Sequence, residues 1–283
     1  MARLLPYAVA ALLLAGAAVV LWLWLRARRR IRPRRRRAPP RPRHPVVLVH
    51  GLFGFDEIAL GRSRHAYFRG VRGALEKDGH TVLVARVAAV GTIADRAAEL
   101  ARCIGGVDAR RVNLVAHSMG GLDARWAISR LGLRKRVGAL VTVGTPHLGT
   151  PLADLSADLA TRLGLERALA VGGVSLDAFH DLTTARMARF DEEVPDARGV
   201  TYASVVGVVQ RKRRMNPLLV PGYLWLRARA GPNDGVVPAA SQEHGEVLAR
   251  IEADHWAQIG WSRHFDAVAF YLRLVRELRA LGC

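Results

Sequence analysis

Val112-Asn113-Leu114-Val115-Ala116-His117-Ser118-Met119-Gly120-Gly121, continued by Leu122 to Leu131, is the stretch whose reading decides the fold. Val112 to Val115 suits a short buried strand, and Leu122 to Leu131 suits a helix. Between them Ser118 stands with small residues two places to either side, Ala116 and Gly120. That spacing lets a tight strand-to-helix turn close without a side chain striking the neighbouring strand or helix, and it leaves the hydroxyl exposed. A serine in this place also has a plainer use as the cap of the following helix.

Outward from this turn, strand-like and helix-like stretches alternate. Val46 to Val49 reads as a strand, Ala66 to Asp78 as a helix closing at Gly79, and Thr81 to Val87 as a second strand. Ile93 to Cys103 reads as a helix, Val137 to Val143 as a fourth strand, and Thr201 to Val209 and Val247 to Ile251 as later ones. Phe265 to Leu281 carries apolar residues at intervals of three or four and reads as a terminal amphipathic helix. Such alternation predicts an α/β fold with a mainly parallel sheet and helices on both faces.

A second chemical signal ends the first strand. His50-Gly51-Leu52-Phe53-Gly54 is a glycine-punctuated turn that allows unusual backbone angles and close approach by a ligand. The N–H of Leu52 there and the N–H of Met119, after the serine, form a candidate pair of oxyanion donors. A serine hydroxyl needs a base to take its proton. His117 is too close in sequence to turn back on Ser118, and His147, after the fourth strand, is placed to line a cleft. Asp234, in Gly231-Pro232-Asn233-Asp234-Gly235, sits in a turn after a strand-like region, and His255 follows 21 residues later. The order serine, acid, histidine is that of α/β-hydrolases. Alone, Asp234 also reads as an ordinary Asn-Asp-Gly turn and His255 as a surface histidine.

Taken together, Pro45 to Phe55, Ala116 to Gly120, Gly144-Thr145-Pro146-His147-Leu148-Gly149-Thr150, Leu182 to Phe190 and Asn233 to Val237 resemble the bacterial triacylglycerol lipase family of the Pseudomonas and Burkholderia type. The resemblance covers about Pro45 to Trp261. It implies an α/β-hydrolase fold with Ser118 as nucleophile, Asp234 as acid and His255 as base. Leu52 and Met119 would be the oxyanion donors, and the segment from Pro151 to about residue 190 a mobile helical lid; Phe53 and His147 are, from their places after the first and fourth strands, candidate substrate contacts. Leu155, Leu159, Leu163 and Leu165 would face the cleft when that lid is closed. Two features of the family are missing. Ala257 stands two residues beyond His255, where the family has an aspartate that holds calcium, and the family's paired cysteines are absent. No metal or cofactor is therefore implied. The same site could serve a lipid acyltransferase or a thioesterase, and a non-catalytic hydrolase-fold scaffold tethered to membrane is the alternative of another class.

Charge divides the chain unevenly. The 283 residues carry 43 Lys and Arg against 24 Asp and Glu, a formal net +19, but residues 1–44 hold twelve Arg and no acid. That leaves 31 basic and 24 acidic residues in the remainder. Leu4 to Leu25 contains no charge and ends in Trp22-Leu23-Trp24-Leu25. As a helix these residues would span roughly 33 Å, enough to cross a hydrocarbon core. A cleaved leader would have a shorter apolar stretch ending in small residues. Eleven Arg follow between Arg26 and Arg43, broken by prolines. The positive-inside rule then puts the C-terminal domain in the cytoplasm. A basic run could also form a nucleic-acid arm; with a span before it and no aromatic residue within it, anionic lipid headgroups are the better partner and nucleic acid is not expected. The predicted organisation is a membrane anchor at 1–25, an Arg/Pro-rich linker at 26–44 and a hydrolase domain at 45–283, acting on a lipid ester. Cys103 and Cys283 offer no disulfide framework, and the oligomeric state is not legible.

Overall fold

The computed structural model describes residues 44–54, 57–60, 63–162 and 177–278. The predicted anchor and nearly all of the linker lie outside these residues, as do Leu163, Leu165 and Cys283. Among the described residues, no helix is long and apolar enough to cross a membrane.

Six strands form the central sheet: β1 (Val46–Val49), β4 (Val82–Val84), β5 (Val112–His117), β6 (Val137–Val143), β7 (Thr201–Gly207) and β8 (Glu246–Ile251). A separate hairpin of β2 (Glu57–Leu60) and β3 (Ser63–Ala66) follows β1. The sheet order is β4-β1-β5-β6-β7-β8, and every neighbouring pair is parallel. The helices are α1 (Val71–Lys77), α2 (Ile93–Gly105), α3 (Gly120–Arg130), α4 (Pro151–Arg162), α5 (Asp177–Asp181), α6 (Thr184–Glu193), α7 (Val220–Ala230) and α8 (Ala267–Glu277).

Period-two alternation sorts the buried strand residues onto two faces. Val46, Leu48, Val115, Val141 and Val143 pack with Val71 and Leu75 of α1 and with Phe270, Tyr271 and Leu274 of α8. Val47, Val49, Leu114, Ala116 and Leu140 pack on the other face with Leu100 and Ile104 of α2 and Ala124 and Ile128 of α3. Both faces are covered, which explains why the central strands read as continuous apolar runs rather than as alternating ones.

Three expectations are corrected. The helix read from Ala66 starts at Val71, because Gly70 takes a left-handed φ of 73° and residues 63–66 belong to the hairpin. The strand read as Thr81 to Val87 is confined to Val82–Val84, an edge strand with β1 as its one neighbour. The region before Asp234 is not strand-like but helical: Pro221 sits in the first turn of α7, where its fixed φ suits a helix, and Tyr223 and Leu226 are buried one turn apart.

The order of the strands places the chemistry. From β1 the chain passes outward to β4 and returns to β5 on the other side of β1. The loops leaving the C-terminal ends of β1 and β5 thus diverge at a topological switch point, the place where open parallel sheets bind ligands. His50 to Gly54 and Ser118 are those two loops.

Candidate active site

Ser118 directly follows β5 and has φ 56°, a left-handed conformation that a residue with a β-carbon rarely adopts. Its amide donates to the Val143 carbonyl at 3.0 Å, and its carbonyl accepts from Thr145 Oγ1 at 2.8 Å. Neighbouring residues must be small. A β-carbon on Gly120 would lie 2.6 Å from the His50 carbonyl oxygen, and one on Gly51 would lie 2.7 Å from Ser118 Cβ. Ala116 is fully buried at the other side of the turn.

His255 and Asp234 reach this serine from two other loops at the same end of the sheet. Ser118 Oγ lies 2.9 Å from His255 Nε2, and His255 Nδ1 lies 2.7 Å from Asp234 Oδ2. A carboxylate can only accept, so Nδ1 carries the proton and Nε2 is left to accept from the serine hydroxyl. The His255 amide also donates to the Asp234 carbonyl at 2.9 Å, tying the two loops together.

The Asp234 carboxylate is fully engaged. Oδ1 accepts from the amides of Val236 and Val237 at 3.0 and 2.8 Å, and Oδ2 accepts from Gln258 Nε2 at 2.9 Å besides His255. Gln258 lies where a β-carbon on Gly144 would come within 2.2 Å of its Oε1 and one on Gly207 within 2.1 Å of its Nε2. Two glycines far apart in sequence therefore make room for one amide.

Phe53 has φ 55° and donates its N–H to the Ala89 carbonyl at 2.7 Å. Among the described residues, neither the Leu52 N–H nor the Met119 N–H has an acceptor. Leu52 and Phe53 line a cavity of about 250 Å³ together with Ser118, His255, Trp256 and Trp261, with Tyr67 and Ile259 behind.

His147 does not join that cleft. It is buried, with Nε2 3.1 Å from Thr142 Oγ1 and Nδ1 3.4 Å from an Arg125 nitrogen, and it stacks on His244 with ring centroids 4.6 Å apart. Burial, with His244 and Arg125 adding to it, holds this imidazole well below its usual range, so it is neutral and structural. The expected apolar lining from the lid also differs: Leu155 and Leu159 of α4 are exposed and do not line the cavity.

Gln258, Tyr67 and Arg96 were not singled out from the sequence. A buried chain runs from the Gly51 amide to Tyr67 Oη at 3.2 Å, from Tyr67 Oη to His117 Nδ1 at 2.8 Å, and from His117 Nε2 to the His255 carbonyl at 3.1 Å. Burial, and secondarily the neighbouring His255, keeps His117 well below the usual imidazole range. Neutral, it can accept from the tyrosine hydroxyl and donate to the carbonyl, joining the loop after β1 to the loop carrying His255. The third is Arg96, fully buried on α2. It pairs with Asp123 at 2.8 Å and donates to the carbonyls of His50, at 2.9 Å, and of Ala88. Gln258 had a local cue, three residues after His255; the partners of Tyr67 and Arg96 are 8 to 50 residues distant.

The chain has clear relatives. A model of the family described as "Putative serine esterase (DUF676)" matches residues 39–167. Triacylglycerol lipase 2 of Saccharomyces cerevisiae is 29% identical over 306 residues, covering 85% of this chain and 93% of the relative. A triacylglycerol lipase of Vibrio cholerae is 31% identical over 243 residues, covering 73% of this chain and 76% of the relative. The mature lipase BlEst2 of Bacillus licheniformis superposes with a TM-score of 0.66 at 23% identity, over 84% of this chain and 93% of that one, and shares the α/β-hydrolase fold. On this likeness the chain belongs to the triacylglycerol lipase family and is a carboxylic ester hydrolase.

Proposed function

We propose that the protein cleaves lipid esters at a membrane surface through an acyl-enzyme formed on Ser118. The observation that carries this reading is the continuous hydrogen-bond chain from Ser118 Oγ through His255 to Asp234, on a serine held at a left-handed φ. His255 Nε2 takes the hydroxyl proton as Oγ attacks the ester carbonyl, and Asp234 supports the imidazolium that forms. The Leu52 and Met119 amides hold the oxyanion. His255 returns its proton to the departing alcohol. Water then enters and attacks the acyl carbon while giving a proton to His255, which passes it to Ser118 Oγ as the acyl–Oγ bond breaks and the fatty acid leaves. Phe53, Trp256 and Trp261 give the cleft an apolar mouth that suits an acyl chain.

The uncharged stretch Leu4 to Leu25 and the Arg run behind it support a single-pass anchor with the hydrolase domain on the cytoplasmic side. A membrane-resident ester is then the natural substrate. Protease added to intact cells should leave the domain uncut; its digestion from outside would reverse the orientation.

A fluorophosphonate probe tests the core of the proposal. Wild-type protein should label and Ser118→Ala should not. His255→Ala should lower turnover of a p-nitrophenyl ester by about 10⁴-fold or more, whereas His244→Ala should leave it nearly unchanged. The reverse result for the two histidines would assign the base wrongly.

A further inference from the structure

The globular part, residues 45–283, has 31 basic and 24 acidic residues, and its whole positive surplus falls in one place. Between Asp196 and Asp234 lie seven cations and no acid; the rest of the domain holds 24 of each sign. Four of the seven are consecutive, Arg211-Lys212-Arg213-Arg214. All four are exposed, and none forms an ion pair among the described residues. Like charges in sequence repel one another; Glu252 and Asp254 share a pocket with Arg211 and Arg214 but form no ion pair with them among the described residues, so the run is open to an anion from outside.

Exposed apolar groups accompany the charge. Leu218 is 76% exposed and Leu224, on α7, 51% exposed. Trp225, on the same helix, carries the Arg229 guanidinium 4.1 Å from its ring centroid. Cations, protruding leucines and a tryptophan on one short stretch are the composition that seats in the headgroup region of a bilayer. A nucleic-acid strand would need free aromatic faces for stacking, and one face of Trp225 is already taken by Arg229.

We infer that residues 211–229 form a docking surface for an anionic phospholipid bilayer, separate from the N-terminal anchor and linker. The surface is joined to the active site from two sides. The Asn216 amide donates to Asp254 Oδ2 at 2.8 Å, next to His255, and Asn233 Nδ2 donates to the Tyr223 carbonyl at 3.3 Å, next to Asp234. Docking therefore presses on the two loops that hold the acid and the base and brings lipid to the side of the domain where they lie.

Amide hydrogen exchange tests this on the full chain reconstituted in vesicles of phosphatidylcholine alone, or of phosphatidylcholine and phosphatidylglycerol in equal parts. Amides of residues 211–229 should exchange about tenfold more slowly on the anionic vesicles, and high salt should remove the difference. The triple variant Arg211→Glu, Lys212→Glu, Arg213→Glu should lose the slowing with its anchor and linker intact. Turnover of soluble p-nitrophenyl butyrate, run in parallel, should be unchanged in this variant. If turnover shows that it misfolds, the corresponding triple Gln variant takes its place. Equal exchange on both vesicles, or slowing that survives loss of the charges, would overturn the docking surface. So would equal slowing by single-stranded RNA added to neutral vesicles. Loss of esterase turnover in the wild type would count against the proposed hydrolase instead, leaving the exchange result to stand by itself.

Discussion

At the scale of single residues, the site is held by groups with no room to change. Gly120 is one: its α-carbon faces the carbonyls of His50 and Val49, and a β-carbon there would stand 2.6 and 2.8 Å from backbone oxygens that cannot swing aside. Gly120→Ala should destabilise the fold by about 1–3 kcal/mol and, through displacement of the Met119 amide, abolish fluorophosphonate labelling; an alanine variant that labels at the wild-type rate would show that the turn relaxes. Gln258 is another. It supplies one of four hydrogen bonds to the Asp234 carboxylate, so Gln258→Ala should lower kcat about tenfold with KM for a soluble ester little changed. A change in melting temperature with kcat retained would reduce Gln258 to a packing role.

At the scale of elements, α1 and α8 close one face of the sheet and are clamped at their ends. Arg276 of α8 donates to both oxygens of Asp78, at 2.8 and 2.9 Å, just past α1. The guanidinium is the chief cause that holds the Asp78 carboxyl below its ordinary value of 3.8. A carboxyl with a lowered folded value contributes stability that is present above its unfolded value and lost as pH falls through the folded one. The pair is about one-third exposed, so its worth is on the order of 1 kcal/mol or less. Arg276→Met should melt a little below the wild type at pH 7, and the gap should close as the pH is lowered below about 4. A gap that persists in acid would mean that the arginine acts through its hydrocarbon stem. The same face shows how far pattern reading reaches. Val268, Tyr271, Leu274 and Val275 announce α8 by their spacing, but the helix starts at Ala267 because the Asp266 side chain accepts from the Ala269 amide at 2.9 Å.

At the scale of the whole molecule, one buried cation ties α2, α3 and the loop after β1 together. Arg96 is fully buried beside Asp123, and burial pushes the Asp123 carboxyl up to about 7 despite that partner. Arg96→Met leaves a buried carboxyl without its cation and the carbonyls of Ala88 and His50 without their donor, which should cost about 3–5 kcal/mol. The double variant Arg96→Met, Asp123→Leu should recover most of that stability in a urea titration. It should not recover ester turnover, because the His50 carbonyl, two residues before Leu52 of the proposed oxyanion hole, still lacks its donor. Full recovery of turnover would show that Arg96 serves the core alone.

By itself the sequence determined the central buried strands, the turn at Ser118 and the order in which Ser118, Asp234 and His255 follow one another. Buried parallel strands must be continuous apolar runs, a strained turn must be flanked by small residues, and a histidine and an aspartate in loops after later strands can reach back to one end of such a sheet. It did not reveal that His147 is buried against His244, that a helix leads into Asp234, or that Leu155 and Leu159 are exposed and do not line the cavity. Nor did it single out Tyr67, Arg96 and Gln258, whose value depends on partners brought close only by the crossing of strands. Periodicity and steric fit are local and are written along the chain. The satisfaction of buried polar groups is a property of three-dimensional neighbours, and only the tertiary structure decided which ones meet.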